Sequence, residues 1–486
     1  LPRNHFATAV VTATISDSAP NPKISRPAAM THSTGAITVT TDPIISPNKM
    51  GSGVAITDSS LHRLPTLNRT FTDFVTLAPQ VSSSGPGLSG AGANNRYNNI
   101  QIDGSTEKDL FGLGSTGQPG GQAGGKSIGI EAVKSYQVLL SPYDVRYGNF
   151  SGLLVNAVTK SGSNQFHGSS YYYLRDSSLT RSQSYLGYFQ QKQYGLTLSG
   201  PIIKNKVFFF LNPEFQTLNS PSSGWFIGGP YSGLPPAADV TRLQTLLGAL
   251  GYKGVGDGSQ RANTNPLTNG FFRLDFQGLP WNSTLTIRDN YGHADQDVFS
   301  RGTSGTLALT DNGYTFKSDK NAVVAQLKSA FSNGTYNELY LGVTHIRDAR
   351  VTFIDATSPM VTARSSLSAV SLVAGAERSS QANQLDQDVK EVTDNFTFSL
   401  GADHRFTIGT QNQWYKVRNL FGQNRYGDWT FNSLDSLAGT CTTCASTAVA
   451  QQYRIGVPAQ AGSDGAVRFT QRTHSFYLQD EWAATN

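Results

Sequence analysis

The stretch Thr284-Leu285-Thr286-Ile287-Arg288-Asp289-Asn290-Tyr291 decides the fold. Side chains alternate across an extended strand, so Leu285, Ile287 and Tyr291 share one face and Thr284, Thr286, Arg288 and Asn290 share the other. The same split recurs downstream. Phe406 and Ile408 oppose Arg405 and Thr407, and Phe476, Leu478 and Trp482 oppose Ser475, Gln479 and Glu481. One face suits lipid and the other suits water. Asp289 and Asp480 break the rule, because their parity puts a carboxylate on the apolar face. Asp480 lies close to a strand end, which is tolerable, whereas Asp289 predicts a bulge or a rim position.

Working outward, ten segments of this kind lie near 167–176, 190–199, 206–216, 269–278, 283–293, 320–332, 335–347, 385–399, 404–417 and 469–483. Their connections alternate in length. Short ones carry turn chemistry, as in Gly200-Pro201 through Asn205, Gly278 to Asn282, Asn333-Gly334 and Gly401 to Asp403. Long ones, at 176–190, 217–268, 294–319, 348–384 and 418–468, read as structureless loops. Soluble domains seldom contain so many. Regular alternation of turns and long loops is the connectivity of an outer-membrane barrel, with turns toward the periplasm and loops outward.

Composition agrees. Charged residues are only 15% of the 486, while Gly reaches 49 and Phe, Tyr and Trp are 26, 20 and 5, a balance that excludes coiled coils and helical bundles and reads as mainly β. The net charge of +5 comes from scattered residues with no basic run, which argues against nucleic acid. No apolar stretch is long enough for a transmembrane helix, a test that transmembrane strands escape. Leu1 is not an initiator methionine, and residues 1–36 lack a secretory signal, so a fragment or processed product is expected.

Ahead of the strands the pattern differs. Residues 1–36 have no sustained period and read as poorly ordered. Ile37-Thr38-Val39-Thr40 is a short alternating segment able to add to another sheet. Between 57 and 160 the signals are those of a small α/β unit. Phe71, Phe74, Val75 and Ala78 predict a short helix before Pro79, a second is expected at 128–133, and strands are expected at 99–102, 136–140 and 153–159.

Chemical motifs are few. Gly112-Leu113-Gly114-Ser115-Thr116-Gly117 has the dinucleotide spacing, but Gln118-Pro119-Gly120-Gly121 follows where a helix would have to start. The 12 glycines from Gly85 to Gly125 instead suggest loops that approach a ligand or line a narrow space. The eight histidines are widely separated, so no local metal spacing exists and no cofactor is expected. Glu107 and Asp109 read as solvated loop residues, and no nucleophile elbow appears. Cys441-Thr442-Thr443-Cys444 has redox spacing without the βαβ setting, so Cys441 and Cys444 are expected to form a small disulfide at a loop tip.

Four ordered stretches resemble the plug of TonB-dependent outer-membrane receptors, most closely the Oar-like subgroup. They are Leu64 to Arg69 with Phe71 to Pro79, Asn95-Arg96-Tyr97-Asn98-Asn99 through Ile102-Asp103-Gly104, Ile130 to Val138, and Tyr143-Asp144-Val145-Arg146-Tyr147-Gly148 with Gly152, Asn156, Thr159 to Gly162 and His167-Gly168. Leu198 to Pro201 with Phe208-Phe209-Phe210, and Phe476 to Trp482, resemble barrel strands of that family. The resemblance implies a poorly ordered segment at 1–36, an α/β plug at 37–160 and, at 161–486, part of a transmembrane antiparallel β-barrel of 22 strands. About twelve strands would then lie beyond those present. It further implies TonB-dependent uptake of a scarce solute (oligosaccharide, peptide or siderophore) in the outer membrane of a Gram-negative-type bacterium. The partners are TonB, that ligand and outer-membrane lipid, with no nucleic acid and no enzymatic activity. A non-transporting barrel or adhesin is the alternative. Ile37, Thr38, Val39 and Thr40 are the candidate TonB contact, with Val10-Val11-Thr12-Ala13 competing; Arg96, Tyr97 and Asn98 are candidate ligand contacts at the plug apex; and Trp225, Tyr231 and Trp429 are candidate ligand-stacking aromatics, with loop packing as their other reading. Tyr147, Gly148, Gly152 and Asn156 are assigned to plug architecture.

Overall fold

The computed structural model describes residues 9–15, 53–64, 66, 68–83, 87–109, 111, 114–140, 142–180, 188–229, 231, 233–299, 305–332, 334–401, 403–440, 449–460 and 462–482. Ile37 to Thr40, Cys441 and Cys444 lie outside them. The dominant element is an antiparallel sheet of 11 strands. Ten are the alternating segments, and they run His167–Asp176, Gln190–Ile203, Val207–Pro221, Ala262–Leu279, Ser283–Val298, Tyr314–Ala330, Tyr336–Thr352, Asn383–Leu400, His404–Phe421 and Val467–Trp482. Each pairs with its sequence neighbour, and among the described residues the sheet does not close on itself.

Several strands extend past their expected bounds at the long-loop end. Apolar alternation stops there, but backbone pairing does not: Asp295, Gln296 and Asp297 still face Lys317, Phe316 and Thr315. At the other end, reversals use residues that accept a positive φ, including Asn205, Gly334 and Gly401.

Three expectations need correction. Residues 9–15 are not irregular; they form a strand, antiparallel to His167–Asp176, on an otherwise unpaired edge. Asp289 sits at no bulge. Register runs unbroken through it, opposite Phe272 and Val323, and Asn321 donates to its carboxylate at 3.1 Å. A hydrogen bond from the next strand replaces the backbone irregularity that parity suggested. Asp480, by contrast, is at the rim, 2.7 Å from His404 Nδ1.

The third correction concerns the long loops. Thr306–Ala308, Ser371–Ala374, Met360–Arg364, Asp428–Phe431 and Gln452–Arg454, drawn from three of them, form a mixed five-stranded sheet. The helix Ala237–Ala249, from a fourth, places Val240, Leu243 and Leu247 against Leu307, Leu372 and Leu434. The loops thus carry a hydrophobic core of their own, which an unstructured segment would lack.

Inside the curve of the large sheet sits a smaller mixed one, ordered Gly53–Thr57, Val133–Leu139, Leu154–Thr159, Asn99–Ile102, Ser105–Thr106. Helices Asp58–Arg63 and Phe71–Val75 cover it, burying Leu61, Phe71, Phe74 and Val75 against Tyr136 and Val138. The expected second helix is a single 3₁₀ turn, Ile130–Ala132. Phe210 and Phe271 of the wall join this core, so plug and wall share buried apolar surface.

Candidate functional site

The functional surface is the contact between plug and wall, because water-facing positions in the middle of the strands are buried against the plug. Thr286, Arg288 and Asn290 are buried there, while Leu285, Ile287 and Tyr291 face outward. Buried charges meet in pairs. Lys320 Nζ lies 2.9 Å from Glu107 Oε2 and also donates to the Ser127 carbonyl at 2.8 Å. Lys126 Nζ lies 3.0 Å from Glu214 Oε1, and Glu214 also accepts from Tyr171 and Gln193. Arg273 bonds Asp275 and Thr159 and reaches Asp103 at 3.5 Å. Glu107 and Asp109 are therefore not solvated loop residues. Asn290 donates to Glu107 and Gln387 to Asp109, and both carboxylates are buried. Charged residues at water-facing strand positions were the signal that should have prompted a search for buried partners.

The glycine-rich segment reaches the long-loop end. Asn265 Nδ2 donates to the Ala123 carbonyl at 2.8 Å. Gly120 and Gly124 have positive φ, and a Cβ at either would press on Ser318 or Asn265. Glycine is required there for close approach to the wall.

Of the expected apex residues, Arg96 and Tyr97 are exposed on the 3₁₀ turn Asn95–Tyr97. Asn98 is not available. It is fully buried, donates to the Leu88 carbonyl and accepts from Leu153 N–H. Trp225 stacks on Tyr231 at 5.6 Å and Trp429 on Tyr453 at 4.0 Å, and both tryptophans are half-buried against the outer core. Packing of the loops, the second of the two readings, describes these aromatics. Asn156 accepts from Gly104 N–H and donates to Gln137, as an architectural residue should.

One cluster titrates. Arg69 Nη2 lies 2.6 Å from Glu131 Oε1 while its guanidinium covers the Tyr173 ring at 3.8 Å. His62 faces the Asp58 carbonyl with Nδ1 at 2.8 Å and Glu131 with Nε2 at 3.2 Å, so two acceptors are met only by the protonated ring. Its hydrogen bond to Glu131 raises the His62 pKa above the usual value, with burial opposing. Burial pushes the Glu131 carboxyl up, but the His62 hydrogen bond and the Arg69 charge outweigh it and hold the group at about 2. A depressed carboxyl stabilises the fold above the unfolded value near 4.5 and ceases to do so as pH falls toward 2; a raised imidazole does so below 6.5 and ceases as pH rises through its folded value. Protection of the 58–64 amides from hydrogen exchange is expected to peak between about pH 4.5 and 6.5, and the maximum should vanish in Glu131→Gln.

The family model for the outer membrane beta barrel domain matches residues 158–230 and 251–486. The chain belongs to that family. It is 30% identical over 172 residues to the TonB-dependent transporter Oar of Myxococcus xanthus, an alignment covering 31% of this chain and 15% of Oar. It is 28% identical over 182 residues to the siderophore receptor PirA of Acinetobacter baumannii, covering 35% of this chain and 23% of PirA. Among solved structures it resembles the outer membrane transporter YddB of Escherichia coli, with a TM-score of 0.61 at 12% identity over 88% of this chain and 54% of YddB. PirA itself superposes with a TM-score of 0.52 at 16% identity over 89% of this chain and 55% of PirA. The chain thus spans about half the length of these solved proteins.

Membership places the strands in the outer membrane and gives their outward face a height scale. An apolar band about 25 Å tall, crossed by strands tilted about 40°, takes roughly ten residues per strand. Counting up from the short turns, the outward face is mostly apolar up to that height, with Asp289, Asp394 and Lys390 as exceptions, and a continuous charged row follows. His293, Asp319, Arg347, Asp386, Arg418 and Arg468 stand in register across six strands. Arg347 lies 2.5 Å from Asp388 and Arg418 3.2 Å from Asp386. Within the band, Leu341 faces lipid between the outward-facing Ala325 and Val392. Leu341→Arg is expected to cost about 2–4 kcal/mol, and Ala349→Arg, just beyond the charged row, about 0–1 kcal/mol, measured by urea unfolding in lipid vesicles.

Proposed function

We propose that this chain supplies the plug and part of the wall of a TonB-dependent receptor that takes up a scarce solute across the outer membrane. In this reading residues 37–160 are the plug, residues 161–486 belong to the barrel, and the activity is transport rather than catalysis. The observation that supports it most is the manner of seating. The plug meets the wall through side-chain contacts, charged pairs and a shared patch of apolar surface, with no strand pairing between Gly53–Thr57 through Ser105–Thr106 and the wall strands. Such a body can shift within the barrel without breaking a backbone ladder, which energy-coupled gating demands and a permanent stopper does not.

TonB would take an extended segment ahead of Gly53 by strand addition, at Ile37 to Thr40, or at Val10 to Ala13 once that segment leaves its pairing with His167–Asp176. Arg96 and Tyr97, exposed on the plug, are the better ligand contacts of the original three, and Trp225, Tyr231 and Trp429 would act by shaping the outer cap. Oligosaccharide, peptide and siderophore ligands fit a polar lumen, with a lean toward the first two from the Oar-like resemblance. Deleting residues 37–42 in the full-length gene is expected to abolish both site-specific crosslinking to TonB and growth on a limiting nutrient that the wild type imports. Unchanged crosslinking, with the deletion of 10–13 equally silent, would favour the non-transporting barrel instead.

A further inference from the structure

We infer that the outward face of the strands Asn383–Leu400 and His404–Phe421 is an interface on which a second copy of this chain docks within the outer membrane, a contact separate from uptake. Two aromatic levels frame this surface. Trp482, stacked on His404 at 5.7 Å, stands at the short-turn end, and Trp414 stands ten residues beyond His404 on the same strand. At about 3.3 Å per residue and a tilt of about 40°, that separation spans the apolar band of about 25 Å. The outward positions between the two levels are Phe406, Ile408, Thr410 and Asn412, so the upper half is polar. Asp394 of the neighbouring strand lies in the same row as Thr410. Elsewhere the wall is what lipid requires. Val207, Phe209, Leu211, Pro213 and Phe215 follow one another outward on one strand, and Phe276, Leu274 and Phe272 on the next. Asp289, another acid in the band, stands alone between Phe272 and Val323.

The polar groups form a network that stays incomplete. Asn337 donates to one Asp394 oxygen at 2.8 Å. Asn412 donates to Thr410 Oγ1 at 2.9 Å, and its own side-chain oxygen faces His474 Nδ1 at 2.7 Å. Among the described residues, the second Asp394 oxygen and the Thr410 hydroxyl proton have no partner. No further wall strand can supply one, because both strands already have a neighbour on each side. Acyl chains offer no hydrogen bond, and a carboxylate at this depth is costly unless protein covers it.

The chemistry of the patch names its occupant. An anionic lipid headgroup is repelled by Asp394, the charge at the centre. A second copy fits, because a two-fold axis along the membrane normal returns every residue at its own height and requires a surface that complements itself. Asp394 and Thr410 meet that requirement. A carboxylate acceptor and a hydroxyl donor stand side by side in one row, so each copy's carboxylate takes the other's hydroxyl. Val392, Phe396 and Ile408 flank the pair on the same outward face and supply apolar contact.

The full-length protein tests this in outer-membrane vesicles, with Cys441 and Cys444 replaced by serine. Ile408 and Phe272 are similarly exposed, at 48% and 40%, but Phe272 lies on a distant strand outside the patch. Ile408→Cys treated with a short bismaleimide is expected to give a product of twice the monomer mass, at least about tenfold more than Phe272→Cys gives. Asp394→Leu with Asn412→Leu should weaken self-association in detergent by roughly ten- to a hundredfold, since each copy loses two polar groups. Asp394→Asn keeps an acceptor and should keep the dimer. Heat-modifiable mobility shows whether the leucine variant is folded; if it is not, the Ile408→Cys crosslink, which leaves the polar groups in place, decides alone. Should the patch face lipid, the two leucines would leave the mass unchanged and raise resistance to urea, and that result overturns the interface. A crosslinked product of any other mass, or equal yields from Ile408→Cys and Phe272→Cys, overturns the second copy as occupant.

Discussion

Glu107→Ala is expected to destabilise the plug's attachment by about 3–5 kcal/mol, because it strands the Lys320 ammonium in a buried site. Both side chains are almost wholly removed from solvent, so water cannot replace the lost carboxylate. Lys320 would keep only the Ser127 carbonyl, and Asn290 would lose one of its two acceptors. The loss should appear first as local opening. Exchange of the 99–109 amides in the full-length protein is expected to accelerate by about two to three orders of magnitude, with strand amides of the wall unchanged. Glu107→Met combined with Lys320→Met separates pairing from burial. Removing both charges leaves nothing unsolvated, so the double variant should recover most of the protection, since a buried pair commonly breaks even against an apolar replacement. Equal exchange in the single and double variants would show that the pair holds nothing.

The wall was legible in the sequence because its two solvents differ. Lipid outside and a hydrated, plug-filled lumen inside impose a period of two that Leu285, Ile287, Phe406, Ile408, Phe476 and Leu478 obey one residue at a time. Where that contrast ends, so does legibility: Asp295 to Asp297 pair as strand although both faces are polar. The plug's short helix was visible through a different period, the i, i+3, i+4 spacing of Phe71, Phe74 and Val75 that faces its own core. Its contacts with the wall were not. Glu107 and Lys320 are 213 residues apart, and nothing local to either marks it as paired. Asp289 shows the converse limit. Its parity was read correctly, but its hydrogen-bond donor, Asn321, sits on another strand and escapes any local reading.

The outer core was missed although part of its signal was present, and it carries the second large effect. Val240, Leu243 and Leu247 fall at i, i+3 and i+7, a helical stripe inside a connection that read as a structureless loop. The stripe has a partner because four loops converge. Leu247 is fully buried among Leu307, Leu372 and Leu434, and Asp239 at the start of the helix accepts Ser365 Oγ at 2.5 Å and Ser366 N–H at 2.9 Å. Leu247→Ala is therefore expected to cost the cap about 2–5 kcal/mol. The ten wall strands draw on a separate core, so their unfolding midpoint should stay within error of wild type while limited proteolysis cuts the 222–261 and 353–382 segments much faster. Leu250→Ala, at an exposed position just past the helix, is the matched control and should leave proteolysis unchanged. If Leu247→Ala is cut no faster than Leu250→Ala, these segments do not form a common core. The stacked Trp225 and Trp429 would then be freed for the ligand-contact role that their burial now argues against.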